Sequence, residues 1–508
     1  MAILEEFLRL QNGTDVRGVA LDGVEGEPIT LDGAKAANIA KAFCLWLKEK
    51  VNKPSVCVAV GYDSRLSAPM LSGAITDAIT SIGCDVVQTG LSTTPSMFML
   101  LKDEARQAAY PCDGAIMITA SHLPFNRNGM KFFHADGGAE KREVTEILHL
   151  AATDIPATKQ TGNVTFAPYL DDYAASLVRL VRAATGEEFP LQGKKIVVDA
   201  GNGAGGFFSD KVLTPLGADT DGSQFLTPDG RFPNHIPNPE NAEAMASVCE
   251  AVKRTDADFG IIFDTDVDRA AAVDRGGEPI NRNRLIALVS AILLEERTGT
   301  IVTDSVTSNG LAQFIAEKGG RHHRFRRGYK NVINEAIRLN AAGEYAPLAI
   351  ETSGHAAFQE NYFLDDGAYL VTKLLIALAK ASKRGERLTQ LIADMPLPKE
   401  EKEVRIGFEN GVDFQTLGAR VIEEFTAYAN ARPALTPATD NHEGIRVNYP
   451  SGEGDGWVLL RMSLHDPILP INAESDVAGG TKLILADVYR FLQRYAFLKL
   501  DSLAKFLA

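Results

Sequence analysis

The stretch Phe259-Gly260-Ile261-Ile262-Phe263-Asp264-Thr265-Asp266-Val267-Asp268-Arg269 changes character in its middle. A short uncharged run gives way to three carboxylates at alternate positions, closed by an arginine. A run of this length ended by polar residues is expected to be a buried strand that stops at a loop. In α/β folds the ligand-binding loops leave the carboxyl ends of such strands. Alternate residues of an extended segment point the same way, so Asp264, Asp266 and Asp268 are expected to converge on one cation. Carboxylate oxygens suit Mg²⁺, which completes its shell with other oxygens, typically those of phosphate. A solvated acidic loop is the plain alternative, disfavoured by the apolar strand before it and Arg269 after it. An EF-hand lacks its glycine and its closing glutamate here.

The same grammar recurs in both directions. Short β-rich runs at 56–61, 115–119 and 195–199 each end in a small or polar loop, and helical patterns are expected at 68–82, 169–184 and 285–296. This alternation reads as α/β layers with largely buried sheets. Composition breaks at 161–169, 274–279 and 394–402 divide the chain into expected domains at 1–165, 166–275, 276–395 and 396–508. The stretch 477–507 reads as helix packed on the last of these.

With 508 residues the chain is too long for one core, and 45% hydrophobic with 23% charged residues is an ordinary globular balance. A net charge of −14 argues against a general nucleic-acid binder. Cys44, Cys57, Cys84, Cys112 and Cys249 are scattered, which reads as reduced thiols rather than a disulfide framework. The acidic N-terminus lacks the pattern of a secretory signal, and no apolar stretch is long enough to span a membrane. The expectation is a cytoplasmic protein with neither nucleic acid nor membrane as partner.

Three further loops carry chemistry. Thr119-Ala120-Ser121-His122-Leu123-Pro124 follows a strand, so Ser121 is expected as an exposed nucleophile on a rigid base, with His122 and Lys131 near enough to neutralise phosphate. Alone, this reads more readily as a Ser-His-Pro turn. Glu351-Thr352-Ser353-Gly354-His355 follows the run 346–350: Glu351 and Ser353 suit vicinal sugar hydroxyls, and His355 can donate to phosphate. A helix start is the alternative there. Arg461-Met462-Ser463 ends the run 457–460, and arginine, hydroxyl and loop amides together grip a phosphate dianion.

In this order, one per expected domain, the four loops resemble those of the α-D-phosphohexomutase family. The family's T-A-S-H-N-P and N-G-x-K are matched by Thr119–Pro124, with Leu123 for Asn, and by Asn128-Gly129-Met130-Lys131. Its D-G-D-x-D-R is matched by Asp264–Arg269 with Thr265 for Gly, and its G-E-x-S-G-H by Glu351–His355 with Ile350 for the leading Gly. Gly13-Thr14-Asp15-Val16-Arg17-Gly18, Gly61-Tyr62-Asp63-Ser64-Arg65 and Gly328-Tyr329-Lys330 add weaker matches. The phosphate loop departs from R-x-S-G/N-T: Leu464 and His465 replace the small residue and the threonine, and Asn472 stands where bacterial relatives tend to carry Arg.

The resemblance implies a four-domain architecture, three α/β domains with mixed sheets plus a C-terminal α+β domain around a central cleft. It implies interconversion of hexose 6-phosphate and hexose 1-phosphate (glucose or mannose) through phospho-Ser121 and a hexose 1,6-bisphosphate, with Mg²⁺ held by Ser121, Asp264, Asp266 and Asp268. Arg17, His122, Lys131 and Lys330 become candidates for proton handling and charge balance, Lys330 as a general base. Arg65, Arg269 and Arg327 are expected to gather anions, and Arg269, Glu351, Ser353, His355, Arg461, Ser463 and His465 to bind substrate. A glucosamine phosphate mutase, an aspartyl-nucleophile phosphatase and a sugar-phosphate-binding pseudoenzyme remain as alternatives.

Overall fold

The structure, a computed structural model, describes residues 2–463 and 466–508. The chain forms two compact units, Met1–Asn281 with Ser353–Leu388, and Arg282–Thr352 with Thr389–Ala508. Among the described residues no helix is long and apolar enough to cross a membrane.

The first unit contains two sheets. In the larger, the strands Gly114–Ile118, Cys57–Tyr62, Asp85–Leu91 and Val164–Phe166 run parallel, and Arg127–His134 and Asp15–Val19 add antiparallel pairs beside Gly114–Ile118. The helices Gly33–Val51, Ala68–Ser81 and Lys141–Ala151 contribute to one apolar core with Val58, Val60, Ile116 and Phe132. Gly114–Ile118 is buried throughout, which is why it reads as an unbroken apolar run. In the second sheet Phe259–Phe263 pairs in parallel with Ile196–Asp199 and antiparallel with Ala270–Asp274. The segment 274–279, expected to be a connector between domains, is the hairpin turn that brings Pro279–Ile280 back onto Ala270–Asp274. Turn composition marks a hairpin and a linker alike.

In the second unit Thr300–Thr303 lies between Arg321–Arg324 and Leu348–Ile350, all parallel. A separate antiparallel sheet is built from Glu400–Phe408, Ile445–Tyr449, Gly456–Leu460 and Ile468–Ser475, with Thr436–Pro437 and Leu498–Lys499 at its edges. The helices Phe414–Asn430 and Gly480–Leu492 bury Val421, Phe425, Ile484 and Val488 in its core. The single helix expected over 477–507 is interrupted. Gly480–Leu492 ends, the short strand Leu498–Lys499 joins the sheet edge, and a new helix runs Asp501–Leu507. Backbone pairing at an available sheet edge outweighs local helix preference there.

The return of the chain into the first unit is anchored by Asp366. Its carboxylate caps the helix Gly367–Lys383 through Tyr369 N–H at 2.8 Å, and it accepts from the Tyr173 hydroxyl at 2.6 Å and Asn361 Nδ2 at 3.1 Å. Burial pushes its pKa up to about 6. We expect Tyr173→Phe to lower the thermal midpoint through a loss of about 1–3 kcal/mol, because a buried carboxylate oxygen loses a donor. A midpoint equal to wild type would show that this hydroxyl carries no stability.

Candidate active site

The serine loop leaves the buried strand Gly114–Ile118 and turns sharply, with Ser121 at φ 49°. Ser121 is not exposed, as expected from sequence, but 3% accessible. Its hydroxyl donates to Asp264 Oδ2 at 2.9 Å and accepts from Arg269 Nη2 at 3.0 Å. Arg269 Nη2 also reaches His122 Nδ1 at 2.5 Å. A guanidinium can only donate, so Nδ1 is the unprotonated nitrogen and the ring proton sits on Nε2. Burial, then Arg269 and Arg17, push His122 down to about 2. His122 is therefore a neutral imidazole with one donor, not the phosphate-neutralising cation expected from sequence; Arg269 is the cation beside Ser121.

The acidic loop does not follow the extended path that its spacing suggested. Residues 265–268 turn and bend, with Val267 at φ 66°, before Arg269 bridges to His355. The three carboxylates converge because the chain curls around them, and each offers an oxygen within 4.8 Å of the others. Glycine lets neighbouring backbone approach this curl. A Cβ on Gly203 would lie 2.7 Å from the Thr265 carbonyl oxygen, and one on Gly367 would lie 2.9 Å from that of Val267.

All three aspartates are buried, at 0%, 0% and 3% accessibility. Lys131 Nζ donates to Asp266 Oδ2 at 2.9 Å and Asp268 Oδ2 at 2.5 Å. Thr94, held by the capping box at the start of Thr94–Met99, donates its hydroxyl to Asp266 Oδ2 at 2.5 Å and its N–H to the Asp266 carbonyl at 2.8 Å. Asp266 Oδ1 and Asp268 Oδ1 remain buried without a hydrogen-bond partner. Buried carboxylate oxygens in that condition, converging with a third carboxylate, fit a hard divalent cation. Burial, then Asp268 and Asp266, push Asp264 well above the ordinary carboxylate range. Asp268 is held far below it: burial acts upward, but Lys131, His355 and Arg269 outweigh it.

The segment beginning at Ser353 adds to the same unit. Ser353 Oγ and His355 Nδ1 are 2.8 Å apart, and His355 Nε2 is 3.8 Å from Asp268 Oδ1. Burial dominates the shift of His355 down to about 3, with Arg269, Lys131 and Arg17 adding to it against the pull of Asp268. Arg17 pairs with Asp15 at 2.8 Å. Arg65, expected to gather anions, is instead wholly buried and faces backbone carbonyl oxygens.

In the second unit Glu351 ends the strand Leu348–Ile350, and its Oε1 accepts from Gly328 N–H at 2.6 Å. Lys330 lies in the first turn of the following helix, Tyr329–Ala341. Arg461 is 7% accessible and pairs with Glu443 at 3.5 Å. Glu443 also accepts from Ser305 Oγ at 2.6 Å and Arg327 N–H at 3.0 Å, so one carboxylate ties three loops together. Ser463 donates its N–H to Ile468 and accepts from Asp466 N–H at 3.2 Å. His465 lies outside the described residues. Arg324, at the end of the strand Arg321–Arg324, is buried and pairs with Asp440 at 2.9 Å. Thr94 and Glu443 escaped the reading of the sequence. Thr93-Thr94-Pro95-Ser96 signals only a helix start, and Glu443 has no motif around it.

The chain matches three family models in succession: phosphoglucomutase/phosphomannomutase alpha/beta/alpha domain I over residues 9–157, domain II over 167–277 and domain III over 281–397. It is 31% identical over 475 residues to a phosphoglucomutase of Neisseria gonorrhoeae, covering 92% of this chain and 94% of that one. A phosphomannomutase/phosphoglucomutase of Pseudomonas syringae pv. tomato is 29% identical, covering 95% and 94%. Among solved structures, a phosphoglucomutase/phosphomannomutase family protein from Burkholderia thailandensis superposes with a TM-score of 0.76 at 27% identity, over 97% of both chains. The acidic loop, the serine beside it and the three successive domain matches leave one reading: the chain belongs to the phosphoglucomutase/phosphomannomutase family, the α-D-phosphohexomutases.

Proposed function

We propose that this chain interconverts the 6- and 1-phosphates of a hexose, glucose or mannose, through a phosphoserine at Ser121. The carrying observation is that Ser121 Oγ sits 2.9 Å from Asp264 and 3.0 Å from Arg269, beside three converging carboxylates. That is a hydroxyl placed where phosphoryl charge has both a guanidinium and a cation site to meet it. Relatives named phosphoglucomutase and phosphomannomutase at about 30% identity support the same reaction.

Mg²⁺, held by Asp264, Asp266, Asp268 and a phosphoryl oxygen on Ser121, would supply Lewis-acid neutralisation of the transferring group. The protein's own groups do the rest. The phosphoryl group leaves Ser121 Oγ for a hexose hydroxyl: the Oγ–P bond breaks, the new O–P bond forms, the hydroxyl proton passes to a base, for which Lys330 is our candidate, and the departing serine oxygen takes up a proton from water to become the free hydroxyl. The product of this half is a hexose 1,6-bisphosphate, and the reverse transfer from its other end regenerates phospho-Ser121. Arg269 holds the serine oxygen, Lys131 and Arg17 balance charge, and His122 offers its Nε2 proton. Glu351, Ser353 and His355 are assigned to the sugar, and Arg461, Ser463 and His465 to the phosphate that is not transferred. The bisphosphate also serves as the activator that restores phosphate to Ser121.

Three measurements test this. A coupled assay with glucose 1-phosphate, primed with glucose 1,6-bisphosphate, should show turnover that Ser121→Ala reduces to background, with the phosphorylated mass absent from the variant. Wild-type-like turnover in that variant would remove the phosphoserine mechanism. Asp266→Asn should weaken Mg²⁺ activation by at least ~10-fold, since losing a ligand costs no less than losing the outer-shell partner of one. Its kcat should fall far more than its KM changes; a pure KM effect would assign the loop to substrate instead. Finally, mannose 1-phosphate should be accepted, and galactose 1-phosphate rejected by roughly 10-fold or more, because inversion at C4 leaves Glu351 and Ser353 unpaired at about 1–3 kcal/mol each. Equal kcat/KM for glucose and galactose 1-phosphates would overturn that placement.

A further inference from the structure

We propose that Arg65 is a positioning residue of the phosphoryl transfer, a clamp that sets the backbone conformation of Ser121 from the neighbouring strand. The inference rests on Ser121 being the phosphorylated residue, but its structural half can be tested without that.

Ser121 has a left-handed backbone, which crowds the Cβ of an L residue and persists only when its surroundings impose it. Both polar groups of the residue are held. Its N–H donates to Thr119 Oγ1 at 2.8 Å, and its carbonyl accepts from Arg65 Nη2 at 2.5 Å. The same Nη2 donates to Leu123 O at 2.6 Å, while Nη1 donates to Pro124 O and Arg127 O, each at 2.8 Å. Every Nη hydrogen of the guanidinium thus has its own carbonyl on one loop.

A concave array of carbonyl oxygens is a site for a planar cation with a fork of donors, which lysine, a point charge with three rotatable donors, does not match. Arg65 reaches it from the turn after Cys57–Tyr62, the strand beside Gly114–Ile118. Asp63, whose Oδ1 accepts Arg65 N–H at 2.9 Å and whose Oδ2 lies 3.4 Å from Nε, balances the charge and fixes the side chain at its root. From the other side, the Phe232 ring covers the guanidinium at 5.2 Å. Gly230 packs so tightly that a Cβ there would meet Leu66 N at 2.5 Å and Ser64 O at 2.6 Å. The side chain is fully buried, so its charge is turned from any substrate and acts through the loop.

The test uses the full-length protein with Arg65→Lys and, as a second variant that leaves the arginine in place, Thr119→Val. Two quantities are read: kcat and KM for glucose 1-phosphate, and amide hydrogen exchange at Ser121, Leu123 and Arg127. A displacement of about 1 Å at the reacting oxygen costs on the order of 100-fold, so kcat should fall by about that factor in Arg65→Lys at unchanged KM, with faster exchange confined to the loop. Thr119→Val should loosen the Ser121 amide and lower kcat; a loosened amide at wild-type kcat overturns the proposal even if Arg65→Lys does not fold. Wild-type kcat in a folded Arg65→Lys, or lost kcat with unchanged loop exchange, overturns the clamp. If the wild-type chain shows no mutase turnover while loop exchange still rises, the catalytic reading fails and the structural clamp stands.

Discussion

The chemistry of the first unit depends on one costly arrangement, three carboxylates withdrawn from water within 4.8 Å of one another. Unpaired, such charges would not stay ionised in an apolar interior. Lys131 and Arg269 supply two opposite charges in direct contact, which leaves the cluster one negative charge in excess. Burial, then the neighbouring Asp268 and Asp266, push Asp264 upward, and one buried oxygen each of Asp266 and Asp268 lacks a hydrogen-bond partner. In the proposed mechanism a divalent cation would reverse its sign, and a phosphoryl dianion on Ser121 would restore it. Such a balance suits the proposed exchange of charge with a phosphoryl group, and it comes at a cost in stability.

Arg269 links this electrostatic demand to the nucleophile. Its Nε faces Asp264 at 3.1 Å, its Nη2 serves Ser121 and His122, and its Nη1 is steadied by Asn238 at 3.3 Å. One planar side chain therefore couples the acidic loop to the serine loop, a task that lysine geometry would not serve. Both loops bend through left-handed residues, Ser121 and Val267. Their strain falls at the proposed phosphoserine and within the acidic loop, and the buried strands behind them supply the rigidity that sustains it.

The sequence announces the buried strands plainly. Phe259–Phe263 and Gly114–Ile118 are uncharged runs closed by polar loops, and the residues after them, Asp264, Asp266, Asp268 and Ser121, are the ones the fold brings together. The motif conjunction also led to the family, which the succession of matched domains then bore out. Less was legible about how those residues meet. Alternation in an acidic run suggests an extended segment, yet the loop curls, because spacing alone does not distinguish a strand from consecutive turns. Arg65 was expected to gather anions, yet it is buried against backbone carbonyl oxygens.

What the sequence determined by itself is the order of buried strands and polar loops and the kinds of chemical group each loop carries, because periodicity and residue type are local properties. Only the tertiary structure decided which group each one faces. Ser121 meets Asp264 across 143 positions and Lys131 meets Asp268 across 137. The same packing decides charge, making His122 a neutral acceptor beside Arg269 although its sequence neighbours hold no cation in contact with it. Protonation and hydrogen-bond direction follow from burial and from the nearest opposite charge, and those are set by contacts between segments distant in the chain.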